Sequence, residues 1–308
     1  MKAPTTAIAD LLQRGRDILV FAELLGIRFN PGQVRWLRYA ASTIDGWKWN
    51  WQQTIHVAAN QIGKTLAVAV LILWACFYKI GVDPSNPEGW QSRPYLWFHL
   101  APTQQQAYHA LNDARMLIKG SHPAQGDRCK LSFVENKLVS ETKVATYYDG
   151  LEFWNGAICQ FRTTDDKASA LQGYRASGIS VDEAAFEDHL RVVVNETLMM
   201  RLISTGGPLH MVSTPNGMND YFDFVEDIRK YNDSPEERVW VDRNGKSAVA
   251  WSVITDNVGF GITQVQVDHM EANLDPATKE QQLRGAFLEP AEAFFVPGDK
   301  ILSAFKRG

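Results

Sequence analysis

Three cysteines in 308 residues, Cys76, Cys129 and Cys159, are too few and too widely spaced for a zinc quartet or a disulfide framework, which points to a reducing, intracellular setting. Long apolar runs are also missing. The longest, Leu66–Tyr78, falls short of the ~20 residues that span a bilayer, and the N-terminus carries acidic residues without a signal-peptide pattern, so a soluble chain is expected. There is no surplus of positive charge: the formal net charge is -4, and any contact with nucleic acid has to come from a local patch. No segment reads as repetitive or disordered. The length allows one large domain with a substantial core and a small appendage.

Against these absences, Ala58-Ala-Asn-Gln-Ile-Gly-Lys-Thr65 stands out. Gln53 to Ala59 is an apolar, β-branched run suited to a buried strand. Gly63 to Tyr78 is an apolar, proline-free run suited to a buried helix. A loop between strand and helix turns backbone N–H groups and the positive helix end toward phosphates. Lys64 then supplies a mobile cation and the Thr65 hydroxyl a ligand for Mg²⁺. The pattern is that of a P-loop, with Ala58 where the first glycine normally stands. The chemistry implied is binding and hydrolysis of a nucleoside triphosphate.

A second segment, Gly178-Ile-Ser-Val-Asp-Glu183, reads as an apolar strand ending in two adjacent carboxylates. Asp182 is expected to join the Mg²⁺ shell and Glu183 to orient and deprotonate the attacking water. Leu100-Ala-Pro-Thr-Gln104 and Val212-Ser-Thr-Pro-Asn-Gly217 each close a strand with hydroxyls and backbone donors, on the sheet edge where α/β proteins bind ligands. The remaining pattern alternates. It predicts a helical lead-in over residues 1 to 30, a helix around Val34 to Ala41, a strand at Tyr95 to Ala101 and a helix from Gln104 to Ile118. A polar excursion follows from Lys119 to Thr146, then a hairpin around Asn155-Gly156. A helix near His189 to Ile203, a strand at Leu209 to Val212, a helix near Asp220 to Lys230, a strand at Ala248 to Ile254 and two more helices before Gly285 complete it. Such alternation implies an α/β fold with a mainly parallel sheet flanked by helices. His56 and His99 fall within strands and are expected to be packed rather than metal-bound. The Trp residues near the lead-in are expected to pack or to lie at a subunit contact.

Taken together, Pro31-Gly-Gln33, Gln61-Ile-Gly-Lys-Thr65, Ala101-Pro-Thr103, Gln172-Gly-Tyr-Arg175, Val181-Asp-Glu-Ala-Ala-Phe186, Ser213-Thr-Pro-Asn-Gly217, Asp256-Asn257 and Gly285-Ala-Phe287 resemble the large subunit of tailed-bacteriophage terminase, the DNA-packaging motor. The resemblance covers essentially the whole chain. It implies a RecA-like P-loop ATPase of the additional-strand type over residues 1–231, with a C-terminal linker subdomain over 232–308. The implied ATP site comprises Gln33, on the adenine, and Ala58, Ala59, Asn60, Gln61, Ile62, Gly63, Lys64 and Thr65. Thr65 and Asp182 would hold Mg²⁺, Glu183 and Lys64 would act in catalysis, and Ser213 and Thr214 would couple hydrolysis to movement. Double-stranded DNA, a portal protein, a small terminase subunit and further copies of the chain in a ring are the implied partners, in the host cell cytoplasm.

Two departures from the family pattern carry consequences. Positions where relatives place an arginine hold Asn60 and Gln172, which leaves Arg175 as the expected arginine finger toward a neighbouring subunit, with Arg162, Arg191 and Arg201 as further candidates. An ion pair of Arg175 with Asp166 or Glu187 is the alternative. The tail beyond Gly285 offers only Glu289, Glu292 and Asp299, with no strand-borne acidic cluster, so no nuclease domain and no nuclease activity are expected. DNA contacts are expected from Arg128, Lys130 and Lys137, mostly to phosphates. The rival readings are a helicase-like remodelling ATPase that needs a partner domain, and a catalytically weak nucleotide-binding assembly module.

Overall fold

The computed structural model describes residues 6–86, 94–128, 132–145, 148–231 and 238–289. Its lead-in is helical, with α1 (Thr6–Arg14), α2 (Ile18–Leu24) and α3 (Pro31–Ala40), followed by the two-residue strands β1 (Thr43–Ile44) and β2 (Lys48–Trp49). Thereafter strands and helices alternate: β3 (Gln53–Ala58), α4 (Lys64–Tyr78), β4 (Leu96–Ala101) and α5 (Gln104–Lys119). An antiparallel run β5 (Val139–Ala145), β6 (Tyr148–Phe153) and β7 (Ile158–Thr163) leads to β8 (Gly178–Asp182), β9 (Leu209–Ser213) and α6 (Asp220–Arg229). The described chain closes with β10 (Val239–Val241), β11 (Ser247–Ser252), α7 (Gln264–Asn273) and α8 (Pro276–Arg284).

Nine of these strands form one sheet in the order β10-β11-β3-β9-β8-β4-β7-β6-β5. The six from β11 to β7 are parallel, and antiparallel pairs close both edges. Between β3 and β8 lies β9, the additional strand that the sequence implied. Helix α4 is apolar on nearly every side and is buried from Ala67 to Tyr78, as expected of a helix surrounded by protein. One core cluster joins α2, α3, α4 and α5 on one face of the sheet; a second joins α6 and the helical stretch from residue 190 to 202 on the other.

Of the residues after 231, which the resemblance assigns to a linker subdomain, β10 and β11 belong to the central sheet, and β11 pairs with β3 along its length. The segments after β11 also pack Ile254, Ile262, Val267 and Leu283 against Ala58, Ala59 and Ile62 of the phosphate loop. The excursion read as polar contains β5 and a fully buried Phe133, whose ring meets Phe21 and Phe77 at 6.0 and 5.5 Å. Finally, the helix around residues 190–202 is π-helical over Val193–Leu198. The hairpin at Asn155-Gly156 forms as predicted, with Gly156 at φ 76°.

Polar residues cross the sheet interior in hydrogen-bonded sets. His56 Nε2 lies 2.8 Å from Ser252 Oγ and its ring stacks on Trp36 at 5.3 Å. His210 Nδ1 lies 2.8 Å from Thr54 Oγ1 and stacks on Trp97 at 5.8 Å; His99 Nδ1 lies 3.0 Å from Ser180 Oγ. Burial pushes all three imidazoles down to a pKa of about 3. In the unfolded chain they titrate near 6.5, so their neutral burial is without cost above that pH, and stability is lost as pH falls from 6.5 toward 3. Each histidine contributes up to ~1.4 kcal/mol per pH unit in that window. Denaturant unfolding at pH 5 is expected to show a clearly lower midpoint than at pH 7, and His99→Gln is expected to flatten that pH dependence by about a third.

Candidate active site

The site begins where β3 ends. Ala58 is buried and sits opposite Ser252 in the β3–β11 ladder, outside the left-handed region, so its backbone does not require glycine. The loop then turns through Gln61 at φ 57° and Gly63 at φ 76°, and α4 starts at Lys64. At Gly63 glycine is needed twice over, since a Cβ there would also lie 2.8 Å from Gln33 Nε2. The N–H groups of Gln61, Ile62, Gly63 and Lys64 find no acceptor among the described residues. Such a run of free donors at a helix start is an anion cradle.

Strand register brings the acids to this loop. Asp182 ends β8 opposite Val212, and Val57 lies opposite Ser213, so β3, β9 and β8 stop at one edge. Thr65 Oγ1 donates to Asp182 Oδ2 at 2.8 Å across that edge. Burial, then the neighbouring Glu183, push the Asp182 carboxyl up to a pKa of about 6, against the Thr65 hydrogen bond and the Lys64 charge. Glu183 leaves the strand in a left-handed conformation (φ 51°, ψ 40°), a strained turn that brings its Oε2 within 3.4 Å of Ser213 Oγ. Lys64 Nζ donates to Thr214 Oγ1 at 2.8 Å, and Thr214 Oγ1 donates to Asn60 Oδ1 at 3.2 Å. The residues expected from the sequence thus meet in one place. A hydroxyl beside a buried, cation-hungry carboxylate is an all-oxygen donor pair that fits Mg²⁺, which takes few protein ligands and completes its shell with phosphates and water. No cluster of three His, Cys, Asp or Glu that could hold a metal occurs among the described residues.

Other expected residues lie elsewhere. Gln33 is buried beside the loop, where its Nε2 donates to Gly63 O at 2.8 Å and its Oε1 accepts from Asn30 N at 3.0 Å. Arg175 is exposed just before β8, at the opposite sheet edge from Asp182, without an ion pair to Asp166 or Glu187. The five residues of β8, at ~3.3 Å each, put its backbone roughly 17 Å from Asp182 of its own chain. Arg162 is buried between the rings of Phe98 and Tyr174, and Arg191 pairs with Asp220 and Asp223. Arg128 donates to Gly26 O and Ala124 O; Lys137 is exposed at φ 59°, and Lys130, Glu292 and Asp299 lie outside the described residues. Asn30, Asn257 and Gln282, which touch the loop, are given no role from the sequence, and Asn257 is placed only within the resemblance. Asn30-Pro-Gly-Gln33 is a legible capping box; the other two arrive from over 190 residues away.

A buried, unneutralised Asp182 costs stability. Its folded pKa is raised above the unfolded 3.8, so its contribution is favourable at low pH and is lost as pH rises through about 6. Asp182→Asn is expected to stabilise the protein, without nucleotide or metal, by roughly 1–3 kcal/mol at pH 8. Denaturant melts should show that gap closing below about pH 4.

Residues 55–299 match the family described as terminase large subunit, T4likevirus-type, N-terminal. No curated protein matches. Among solved structures, the large terminase ATPase domain of Thermus phage P74-26 superposes with a TM-score of 0.58 at 15% identity, covering 87% of this chain and 97% of that one. The HK97 bacteriophage large terminase gives 0.60 at 14% identity, covering 89% and 55%. A large terminase from a thermophilic bacteriophage gives 0.56 at 15%, covering 85% and 54%. The chain therefore spans about half the length of these last two proteins. These likenesses establish the fold as that of the RecA-like terminase ATPase domains, and with a family match across most of its length the chain belongs to the large terminase subunits of the T4-like type, as their N-terminal part.

Proposed function

We propose that this chain is the ATP-hydrolysing motor domain of a viral DNA-packaging terminase, moving double-stranded DNA into a procapsid from within a ring of its own copies. The observation that carries the reading is the convergence of Lys64, Thr65, Asp182, Glu183 and Thr214 on the free N–H groups of residues 61–64. Nucleotide as ligand is supported by the large terminase of the thermophilic bacteriophage, whose structures include complexes with ADP and ATP-gamma-S. Mg²⁺, where bound, would be held by Thr65 and Asp182 and would offset the charge of the phosphates.

The chain's own groups divide the work. The N–H groups of Gln61 to Lys64 hold the β- and γ-phosphates, and the Lys64 ammonium leaves Thr214 to join them. Thr65 and Asp182 would hold the cation. Glu183, set off the strand axis by its left-handed turn, orients water and takes its proton. Ser213 lies between Glu183 and the backbone, accepting from Ala185 N at 3.1 Å, so Ser213 and Thr214 link both reacting ends of the site to β9. That is the basis for assigning them to coupling. Arg175 is too far from its own phosphate loop and acts on a neighbour's, which closes a head-to-tail ring. DNA passes through that ring, with portal protein and small subunit as further partners in the host cytoplasm. No helix among the described residues is long and apolar enough to cross a membrane.

Phosphate release from ATP with Mg²⁺ tests the reading. Glu183→Gln is expected to lower turnover by about 10²–10⁴-fold while ATP still binds; wild-type turnover in that variant would remove Glu183 from the mechanism. Lys64→Ala is expected to lose binding and turnover together. Specific activity is expected to climb with protein concentration, and Arg175→Ala to abolish the climb with a loss on the order of 10³-fold. Activity independent of concentration would place the completing group in the same chain.

A further inference from the structure

Three consecutive carbonyl oxygens of the phosphate loop are each taken by a side-chain carboxamide. Gln61 O accepts from Asn257 Nδ2 at 2.5 Å, Ile62 O from Asn30 Nδ2 at 2.9 Å, and Gly63 O from Gln33 Nε2 at 2.8 Å. The three residues are buried, and Asn30 is bonded to both of the others. Asn30 Nδ2 also donates to Asn257 Oδ1 at 3.1 Å, Asn30 Oδ1 accepts from Gln33 N at 2.9 Å, and Gln33 Oε1 accepts from Asn30 N. In a trans peptide the C=O and the following N–H point in opposite directions. Fixing the carbonyls of residues 61, 62 and 63 on one side therefore fixes the N–H groups of Ile62, Gly63 and Lys64 on the other, which are the donors left without acceptors.

We propose that Asn30, Gln33 and Asn257 act as positioning residues that clamp the outer side of the phosphate loop and hold its donors ready for a polyphosphate. Gln33 then serves the phosphates through the loop rather than reading the adenine, and Asn257, which follows β11, makes affinity depend on the C-terminal part of the chain. Carbonyls left unbonded would allow these peptides to flip, turning lone pairs instead of N–H groups toward the phosphates. Two glycines protect the arrangement: a Cβ at Gly63 would press on Gln33 Nε2 and one at Gly261 would lie 2.9 Å from Asn257 Nδ2. The inference rests on the proposed nucleotide site, and it is separable from it because a clamp and a base reader respond differently to a ligand without a base.

The experiment is displacement of a fluorescent ADP analogue by ATP, GTP and inorganic tripolyphosphate, with Mg²⁺, well below each variant's melting temperature. Asn257→Ala and Gln33→Ala are expected to weaken all three ligands together, by about tenfold or more, with the ATP-to-GTP ratio unchanged. Gly261→Ala, which keeps the amide and only crowds it, is expected to give a smaller loss of the same kind and carries the test if Asn257→Ala does not fold. Tripolyphosphate affinity within twofold of wild type in folded Asn257 and Gly261 variants would overturn the clamp, even if their melting temperatures fall. A Gln33→Ala variant that loses ATP but not GTP or tripolyphosphate would show an adenine reader instead. Failure of the wild-type protein to bind any of the three would refute the nucleotide site itself.

Discussion

Four parallel strands stop within about one residue of a common line, and the site depends on that constraint. Ala58 lies opposite Ser252, Val57 opposite Ser213, and Asp182 opposite Val212. The register places a phosphate loop, a hydroxyl pair and two carboxylates at the same height without any long side chain having to reach. With β9 between β3 and β8, the hydroxyls of Ser213 and Thr214 stand between the loop proposed to hold phosphate and the acid proposed to activate water. A change of one residue in any of these pairings would turn alternate side chains to the other face of the sheet. The buried Thr54–His210 and Ser180–His99 pairs, which span β3, β9, β8 and β4, make such a slip costly because it would strand four polar groups in the core.

Strain and desolvation meet at that edge. Glu183 is held in a left-handed conformation, and Asp182 is a carboxylate in a place that favours its neutral form. Elsewhere the core is conventional, with α4 enclosed by apolar contacts and two clusters sealing the faces of the sheet. The edge shares these costs with the rest of the fold, since left-handed backbone recurs at Asp166, Lys167 and Ala168 and three histidines are desolvated within the sheet. A carboxylate poised against desolvation has the most to gain from a cation, and a carboxylate turned off the strand is free of the ladder.

What could be read from the sequence followed from local physics. Gln53–Tyr78 shows strand, loop and helix because its period and its glycine announce them, and Asn155-Gly156 announces its hairpin. Asp182 and Glu183 were legible as a strand-end pair, but the left-handed turn that separates their roles was not, since nothing in Val-Asp-Glu-Ala requires a positive φ. Distance along the chain hid the rest. Asn257 and Gln282 contact the loop from 196 and 222 residues away, and a polar residue in a charged, loop-rich stretch carries no periodic signal. The subdomain implied over 232–308 gives no hint that β11 pairs with β3, because parallel pairing is set by the sheet and not by the neighbouring loops.

The missing first glycine of the phosphate loop has a physical explanation in these long-range contacts. Ala59 N donates to Ser252 O at 2.9 Å and Asn60 N to Gln282 O at 2.9 Å, so β11 and α8 take the first two donors after Ala58. That part of the loop behaves as an extension of the strand, with ordinary backbone angles and a buried methyl group, and glycine would add only unfolded-state entropy there. The phosphate cradle is correspondingly short, confined to residues 61–64, where both positive φ values occur. A loop whose first half is held by the sheet and α8, and whose second half is held from outside by three carboxamides, has little freedom left to lose on binding. The affinity for phosphate that we propose would then come from preorganisation. The lone glycine at position 63 suffices because it is the one place where chain direction, a close amide and the start of α4 coincide.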